Sequence, residues 1–164
     1  MLTIRHAKDT DLSDIIRIET ENFSPEEAAE LSVMRERIAK ISDTFLVAEM
    51  KGRLVGYIEG PVINQRYLTD DLFHKVIPNP KESGYIAVTS LSIDKTFHKQ
   101  GVGTALIAAL KDLALAQKRL GITLTCHDYL IAYYEMNGFF NDGLSESVHG
   151  GSTWYNMIWE NPKI

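Results

Sequence analysis

The sequence predicts an α/β domain: a mixed, mostly antiparallel central sheet with helices on both faces. Short apolar, β-branched runs alternate with longer runs of helical periodicity along the 164 residues. Three strands follow one another between the second and third helices, two of them joined by a tight hairpin. The third helix then links two apolar strands, which requires a right-handed crossover and a locally parallel pair. At 45% hydrophobic and 24% charged residues, the chain suits one globular domain with a real core.

Leu2 to Arg5 reads as the first strand. A helix follows from about Thr10, with Leu12, Ile15, Ile16 and Glu19 marking its turns. Ser24-Pro25-Glu26-Glu27 predicts the start of a second helix. Ser24 caps it, Pro25 suits the first helical position, and Glu27 completes a capping box. Leu31, Met34, Ile38 and Ile41 give that helix one buried face. Phe45 to Glu49 and Leu54 to Ile58 form a hairpin around Met50-Lys51-Gly52-Arg53. Asn64 to Ser83 is a long polar excursion with a short helix at Asp70 to Lys75. Its length marks it as a candidate substrate lid. Gly84 to Ile93 reads as a single central strand. Val102 to Leu120 is a helix stopped by Gly121. Ile122 to Cys126 is another buried strand, Leu130 to Asn137 a short helix ended by Gly138, and Thr153 to Glu160 the last strand.

Composition narrows the function. The formal net charge of −5 argues against a nucleic-acid partner and is compatible with a cationic substrate. Cys126 is the sole cysteine, which excludes an internal disulfide and a cysteine metal cluster. The start of the chain lacks the apolar run of a signal peptide, and no stretch approaches the ~20 apolar residues that span a bilayer. A cytoplasmic protein is expected.

The richest segment is FHKQGVGTAL, residues 97–106. Two glycines open a helix, where unpaired N–H groups and the macrodipole favour an anion. Gly101 and Gly103 remove Cβ atoms, so a bulky phosphate can approach the backbone. Thr104 adds a hydroxyl and Lys99 a charge. A Walker loop is excluded by the missing Gly-Lys-Ser/Thr. A dinucleotide fingerprint needs Gly or Ala where Leu106 stands. A turn of this kind also serves simply to pack a helix on a sheet.

Three segments together resemble the GCN5-related N-acetyltransferase (GNAT) superfamily. LSIDKTFHKQGVGTAL is similar to its main cofactor motif, CHDYLIAYYEMNGFF to the motif that follows, and TIRHAKDTDLSDIIRIE to its opening. Within the superfamily the rhythm of these stretches, with the GGSTWYNMIW tail, is most similar to arylalkylamine N-acetyltransferases. The resemblance implies the GNAT fold and acetyl-CoA as cofactor. It implies that Leu91 and Ile93, with Ser92 between them, offer backbone groups to the pantetheine arm. It implies that the backbone of Lys99, Gln100, Gly101, Val102, Gly103 and Thr104 cradles the pyrophosphate, with His98 beside the loop where the family has Arg or Gln. Asp128 would face the cofactor, and Tyr134 would protonate the departing thiolate.

That chemistry is consistent with the residue types. A tyrosine of ordinary pKa ~10 can protonate a thiolate of similar basicity, and a strand N–H can polarise the thioester carbonyl. No metal is required. The proton acceptor is open. The histidine pair of the arylalkylamine enzymes is replaced by Ala87 and Thr89. Glu59, a water chain through Thr89 or Ser90, and His127 are the candidates, with Glu59 placed in the catalytic set. Phe23 either lines the amine site or staples the core. Asp70 and Asp71 either greet a cation or cap a helix. His74 and His149 are isolated loop histidines, and Cys126 lacks a thiol-activating neighbourhood.

The expected activity is therefore acetyl transfer from acetyl-CoA to a primary amine, small molecule or peptide, by direct attack in a ternary complex. A protein N-terminus, a lysine or a polyamine are alternative acceptors. A non-catalytic acyl-CoA-binding module and, less readily, a nucleotide-binding protein are the rival classes. Exposed edge strands near the C-terminus allow a homodimer.

Overall fold

A computed structural model describes residues 1–164. Thirteen regular elements follow in order: β1 (Leu2–His6), α1 (Leu12–Asn22), α2 (Leu31–Lys40), β2 (Phe45–Met50), β3 (Arg53–Glu59), β4 (Val62–Ile63), β5 (Tyr85–Val88), β6 (Ser90–Ile93), α3 (Val102–Ala116), β7 (Gly121–Cys126), α4 (Ile131–Met136), β8 (Phe140–Leu144) and β9 (Tyr155–Glu160). They build two sheets, a four-stranded one in the order β1-β2-β3-β6 and a five-stranded one in the order β4-β5-β7-β9-β8. Only β5 and β7 pair in parallel, joined by the α3 crossover. No helix is long and apolar enough to cross a membrane.

The single strand expected over Gly84 to Ile93 is two strands in two sheets. β5 pairs with β7, while β6 pairs with β3. The cause lies at Gly60, where an added Cβ would meet the Ala87 carbonyl oxygen at 1.7 Å. This close approach lets the ribbon of residues 53–63 and 85–93 bend from one sheet into the other. Thr89 N–H donates to Glu59 O at 2.9 Å and Ala87 N–H to Pro61 O at 2.7 Å across the bend. Beyond Val88, β6 leaves β7, and a cleft opens between them.

Side-chain alternation builds a core on each face. Along β2, Phe45 and Val47 face α1 and α2 with Tyr57, Ile15, Ile18 and Met34. Leu46 and Ala48 face the opposite way, toward Leu106, Ile107 and Leu110 of α3. Gly56 allows α3 to start close to the sheet, since a Cβ there would lie 2.8 Å from Ile93 Cδ1 and 3.3 Å from Val102 Cγ1.

Helix boundaries depart from expectation twice. Ser24 to Glu27 form a turn, not the start of α2, which begins at Leu31 with Glu30 at its N-cap. Glu27 does not close a capping box because its carboxylate is drawn to Ser152 and His127. α3 ends at Ala116, short of Leu120, because Lys118 takes a left-handed φ of 58° and the chain turns back into the sheet. Gly121 then lies inside β7, where a Cβ would meet Trp159 O at 2.2 Å. The long loop includes the expected short turn, Asp70–Phe73, and is pinned by Arg119, which donates to Pro80 O and Ser83 O at 2.9 Å each. β4 and β8 were not legible in the sequence; β8 reads FNDGL and is mostly exposed.

Candidate active site

The turn before α3 has the form an anion site needs. Gly101 adopts φ of 80° and Lys99 φ of 63°, so the backbone curls around a point in solvent. Nothing lies within 4 Å of a Cβ built on Gly101. The backbone N–H groups from Lys99 through Thr104 have no partner within the protein. They point from a helix N-terminus, where partial positive charge concentrates. Gly103 has a different job: a Cβ there would sit 2.5 Å from the Tyr133 hydroxyl. His98 turns back to the strand, its Nε2 2.8 Å from Ile93 O. Gln100 is exposed and donates to Thr96 O at 3.4 Å, away from the cavity.

Asp94 locks the approach to this turn. Its Oδ1 accepts from Thr96 N–H at 3.0 Å and Thr96 Oγ1 at 2.7 Å, and its Oδ2 from Arg17 and Arg53 at 3.1 Å each. Burial alone would raise its pKa, but the Thr96 bonds and Arg17 outweigh it and hold the carboxyl down at about 2.

The cleft continues along β6. Asp94 N–H donates to Val55 O at 2.8 Å, which sets the phase of the ladder with β3. By that phase Ser92 and Ser90 bond to β3, while Leu91 and Ile93 present N–H and C=O to the open edge. The Ile93 carbonyl is already taken by Asn22 Nδ2 at 2.7 Å and by His98. Leu91 and the Ile93 N–H remain for a ligand. The Ser92 hydroxyl faces α1, accepting from Asn22 Nδ2 at 2.7 Å. A cavity of about 810 Å³ runs from the glycine turn past β6 to Trp154, within the usual size of a ligand site.

Tyr134 stands on the wall of this cavity. It is 7% exposed and packs edge-to-face with Tyr133 and Phe139 at 5.2 and 5.7 Å. Burial, with Cys126 and Tyr133 adding, pushes its phenol well above the ordinary value, so it holds its proton throughout the physiological range but is not matched in basicity to a thiolate as an ordinary tyrosine would be. Gly138, at φ of 87°, ends α4, and Phe139 N–H bonds to Tyr134 O at 3.0 Å. Burial pushes the Cys126 thiol up to about 12, so it is no nucleophile. Asp128 lies exposed in the turn before α4, outside the cavity wall.

Glu59, placed in the catalytic set by the sequence reading, does not line the cavity. It is fully buried, and Thr89 stands between it and the cavity, donating its hydroxyl to Glu59. Arg37 of α2 donates to it at 3.1 Å and is itself only 1% exposed. Burial raises the Glu59 pKa against the opposing Arg37 charge.

Other polar groups line the cavity instead. Glu19 is 2% exposed and accepts from the Tyr57 hydroxyl, from Ser90 Oγ at 2.7 Å and from Ala29 N–H at 2.8 Å. Its signal was present in the sequence, since a carboxylate stood on the buried stripe of α1. Glu27 Oε1 lies 3.4 Å from His127 Nε2, and Glu27 Oε2 accepts from Ser152 Oγ at 3.0 Å. His127 stacks on Trp154 and Tyr129, with centroids 4.3 and 5.3 Å apart. His149 stacks on Phe73 at 3.8 Å and meets Glu27 O at 3.1 Å, so neither loop histidine pairing was visible from sequence spacing. Phe23 also lines this end of the cavity. Asp70 ties two loops together, accepting from the Ser147 hydroxyl and from Val148 N–H at 3.0 Å.

Fold and site together define an α/β protein whose helix-capping turn, open strand edge and buried tyrosine share one cleft. The family model of the acetyltransferase (GNAT) domain matches residues 11–161, and the chain belongs to that family. No curated protein matches the sequence. Among solved structures the chain is similar to Ard1 from Thermoplasma volcanium, at 21% identity over 97% of each chain and a TM-score of 0.73. It is also similar to the loading GNATL domain of CurA from Lyngbya majuscula, at 15% identity over 100% of each chain and a TM-score of 0.80. A third likeness is to the GphF GNAT-like decarboxylase in complex with isobutyryl-CoA, at 14% identity over 97% of this chain and 99% of that one, TM-score 0.78. The fold is that of the GNAT acetyltransferases.

Proposed function

We propose that the chain transfers the acetyl group of acetyl-CoA to a primary amine by direct attack in a ternary complex. The observation that carries this reading is the unpartnered run of N–H groups from Lys99 through Thr104, continuous in one cavity with the open edge of β6 and with Tyr134. The turn suits a pyrophosphate, and Leu91 suits an amide-bearing arm laid along the strand as an added neighbour. When bound, the thioester supplies the activated acyl group. The protein orients it, offers a strand N–H to its carbonyl, and holds a proton at the Tyr134 hydroxyl for the departing sulfur.

The acceptor end favours an amine. Glu19 and Glu27 both line it, so an ammonium is attracted there and a carboxylate repelled. A carboxylate-bearing acyl group is disfavoured at that end for the same reason. Phe23, Phe73, Tyr129 and Trp154 provide aromatic surface for the body of the acceptor. Small amines with an apolar or aromatic body, the arylalkylamines among them, fit these walls best.

The test has two stages. Acetyl-CoA at a hundredfold over its Kd stabilises the fold by about 2.7 kcal/mol, which raises the Tm by roughly 5–10 °C. ATP and NAD give no shift. Thiol release is then followed with a panel of amines. No shift with acetyl-CoA removes the ligand assignment, and a shift without turnover on any amine leaves a binding module.

A further inference from the structure

The acetyl-transfer reading requires a group that takes a proton from the incoming ammonium, and the inference below rests on that reading. Three carboxylates and two imidazoles lie near the acceptor end; His149 is tied through its Nε2 to the Glu27 carbonyl oxygen at 3.1 Å and has no carboxylate partner. Glu59 is screened by Thr89 and paired with Arg37. Glu19 has both oxygens engaged, by Tyr57, Ser90 and Ala29, and those bonds hold α1 and the loop after it against the sheet.

His127 differs. Its Nε2 lies 3.4 Å from Glu27 Oε1, and its Nδ1 has no partner in the protein. With the Nε2 proton directed at the carboxylate, Nδ1 presents a lone pair. The ring cannot swing away, because Trp154 and Tyr129 stack against it. Glu27 is fixed in turn by Ser152, and by Gly150, where a Cβ would come within 2.5 Å of Glu27 Cγ. His127 follows Cys126 directly, and the Cys126 thiol is one of the groups that act on Tyr134. The imidazole and the phenol line the same cavity. The other titratable groups around the ring are Asp128 and Tyr129 on its own turn, His149 beyond Trp154, and Cys126 and Tyr134 on the wall; only Glu27 is within hydrogen-bond reach.

We propose that His127 is the catalytic base that deprotonates the acceptor ammonium, and that Glu27 is its positioning residue. Nδ1 takes one proton from R–NH3+. The freed lone pair attacks the thioester carbon, the N–C bond forms and the C–S bond breaks. Tyr134 gives its proton to the leaving sulfur and regains the one the nitrogen sheds. The proton on His127 passes to solvent, which balances the reaction.

The experiment measures thiol release from acetyl-CoA with phenethylamine, spermidine, lysine and a tetrapeptide with a free N-terminus, from pH 6 to 10. His127→Gln is expected to lower kcat/KM for the best amine by 10²–10⁴-fold near neutral pH, with acetyl-CoA affinity unchanged. The loss shrinks as pH rises and the amine sheds its own proton. Glu27→Gln lowers kcat more than it raises KM, because the ring loses the acceptor that orients its Nε2 proton. His127→Gln within threefold of wild type at every pH overturns the proposal, as does a loss confined to the KM of the amine. A retained thermal shift with acetyl-CoA shows that a variant is folded; if His127→Gln lacks it, the split between kcat and KM in Glu27→Gln decides. If the wild type acetylates no amine, the acetyl-transfer reading fails and the base with it. If the wild type turns over and the variants match it, only the base assignment fails.

Discussion

Tyr133 and Gly103 are fitted to each other: the phenol oxygen stands 2.5 Å from the place a Cβ on residue 103 would occupy. The second glycine of the turn thus serves helix α4 as much as any ligand. Gly103→Ala gains helix propensity of up to about 1 kcal/mol but displaces Tyr133, which packs against Tyr134. The expected outcome is a nearly unchanged Tm and weaker acetyl-CoA binding with lower kcat. Tyr133→Phe in the same chain removes the clashing oxygen and restores part of both. A double-mutant cycle on Kd and kcat checks this; strictly additive effects would show that the two residues are independent.

His98 lines the cavity beside the turn, with its Nε2 held by Ile93 O at 2.8 Å. The anion-binding role proposed for the turn rests on its unpartnered backbone N–H groups, which no side-chain substitution at 98 removes. His98→Ala is expected to change the Kd for acetyl-CoA by less than tenfold, or ~1.4 kcal/mol, measured by calorimetry. A larger loss would place the imidazole on the ligand.

The Tyr134 hydroxyl has no hydrogen-bond partner in the protein, and only burial and its neighbours Cys126 and Tyr133 act on it. Tyr134→Phe therefore leaves the packing intact, and the Tm stays within about 2 °C of wild type. On the proposed acid role it removes the proton for the leaving sulfur, so kcat is expected to fall by about 10²–10⁴-fold with KM nearly unchanged. Equal rates for the two proteins in a thiol-release assay would exclude the acid role.

How much of this site was legible follows from the kind of information each part uses. The glycine turn is a local motif whose spacing a single turn fixes, and Tyr134 came from the resemblance of the segment around it; the structure brings both to one cavity. The cleft was not legible, because it depends on Thr89 being a bend between two sheets, and that bend depends on Gly60 meeting Ala87 across the chain. Glu59 looked available because it ends a strand beside a glycine; Arg37, which claims it, arrives from α2. Glu27 looked like a capping residue because Ser24 stood three positions before it, whereas its partners His127 and Ser152 lie 100 and 125 positions downstream.

The Arg37–Glu59 pair is a stability element by this geometry. Both side chains are at most 1% exposed, and Glu59 Oε2 and Arg37 Nη2 have no partner. Removing Arg37 alone strands a buried carboxylate, at a cost of roughly 3–5 kcal/mol. Arg37→Met is expected to lower the Tm by about 6–20 °C, and Glu59→Gln added to it recovers much of the loss. A pair of melting curves checks this, and an unchanged Tm in Arg37→Met would mean that the pair is solvated.

Asp94 makes the turn acid-sensitive. Its folded pKa of about 2 lies below the ordinary 3.8, so its contribution is present above pH 4 and is lost as pH falls toward 2. A depression of that size corresponds to roughly 2 kcal/mol at full strength. Arg17 and Arg53 are 37% and 57% exposed, and screening of both leaves about 1 kcal/mol. Urea midpoints measured between pH 5 and pH 2 are expected to fall less steeply in Asp94→Asn than in wild type. Because Asp94 also carries the Thr96 turn that precedes the anion site, acetyl-CoA affinity at pH 7 should fall in the same variant. Parallel urea slopes in the two proteins would mean that Asp94 titrates normally in the fold, and an unchanged affinity would mean that the turn holds its shape without it.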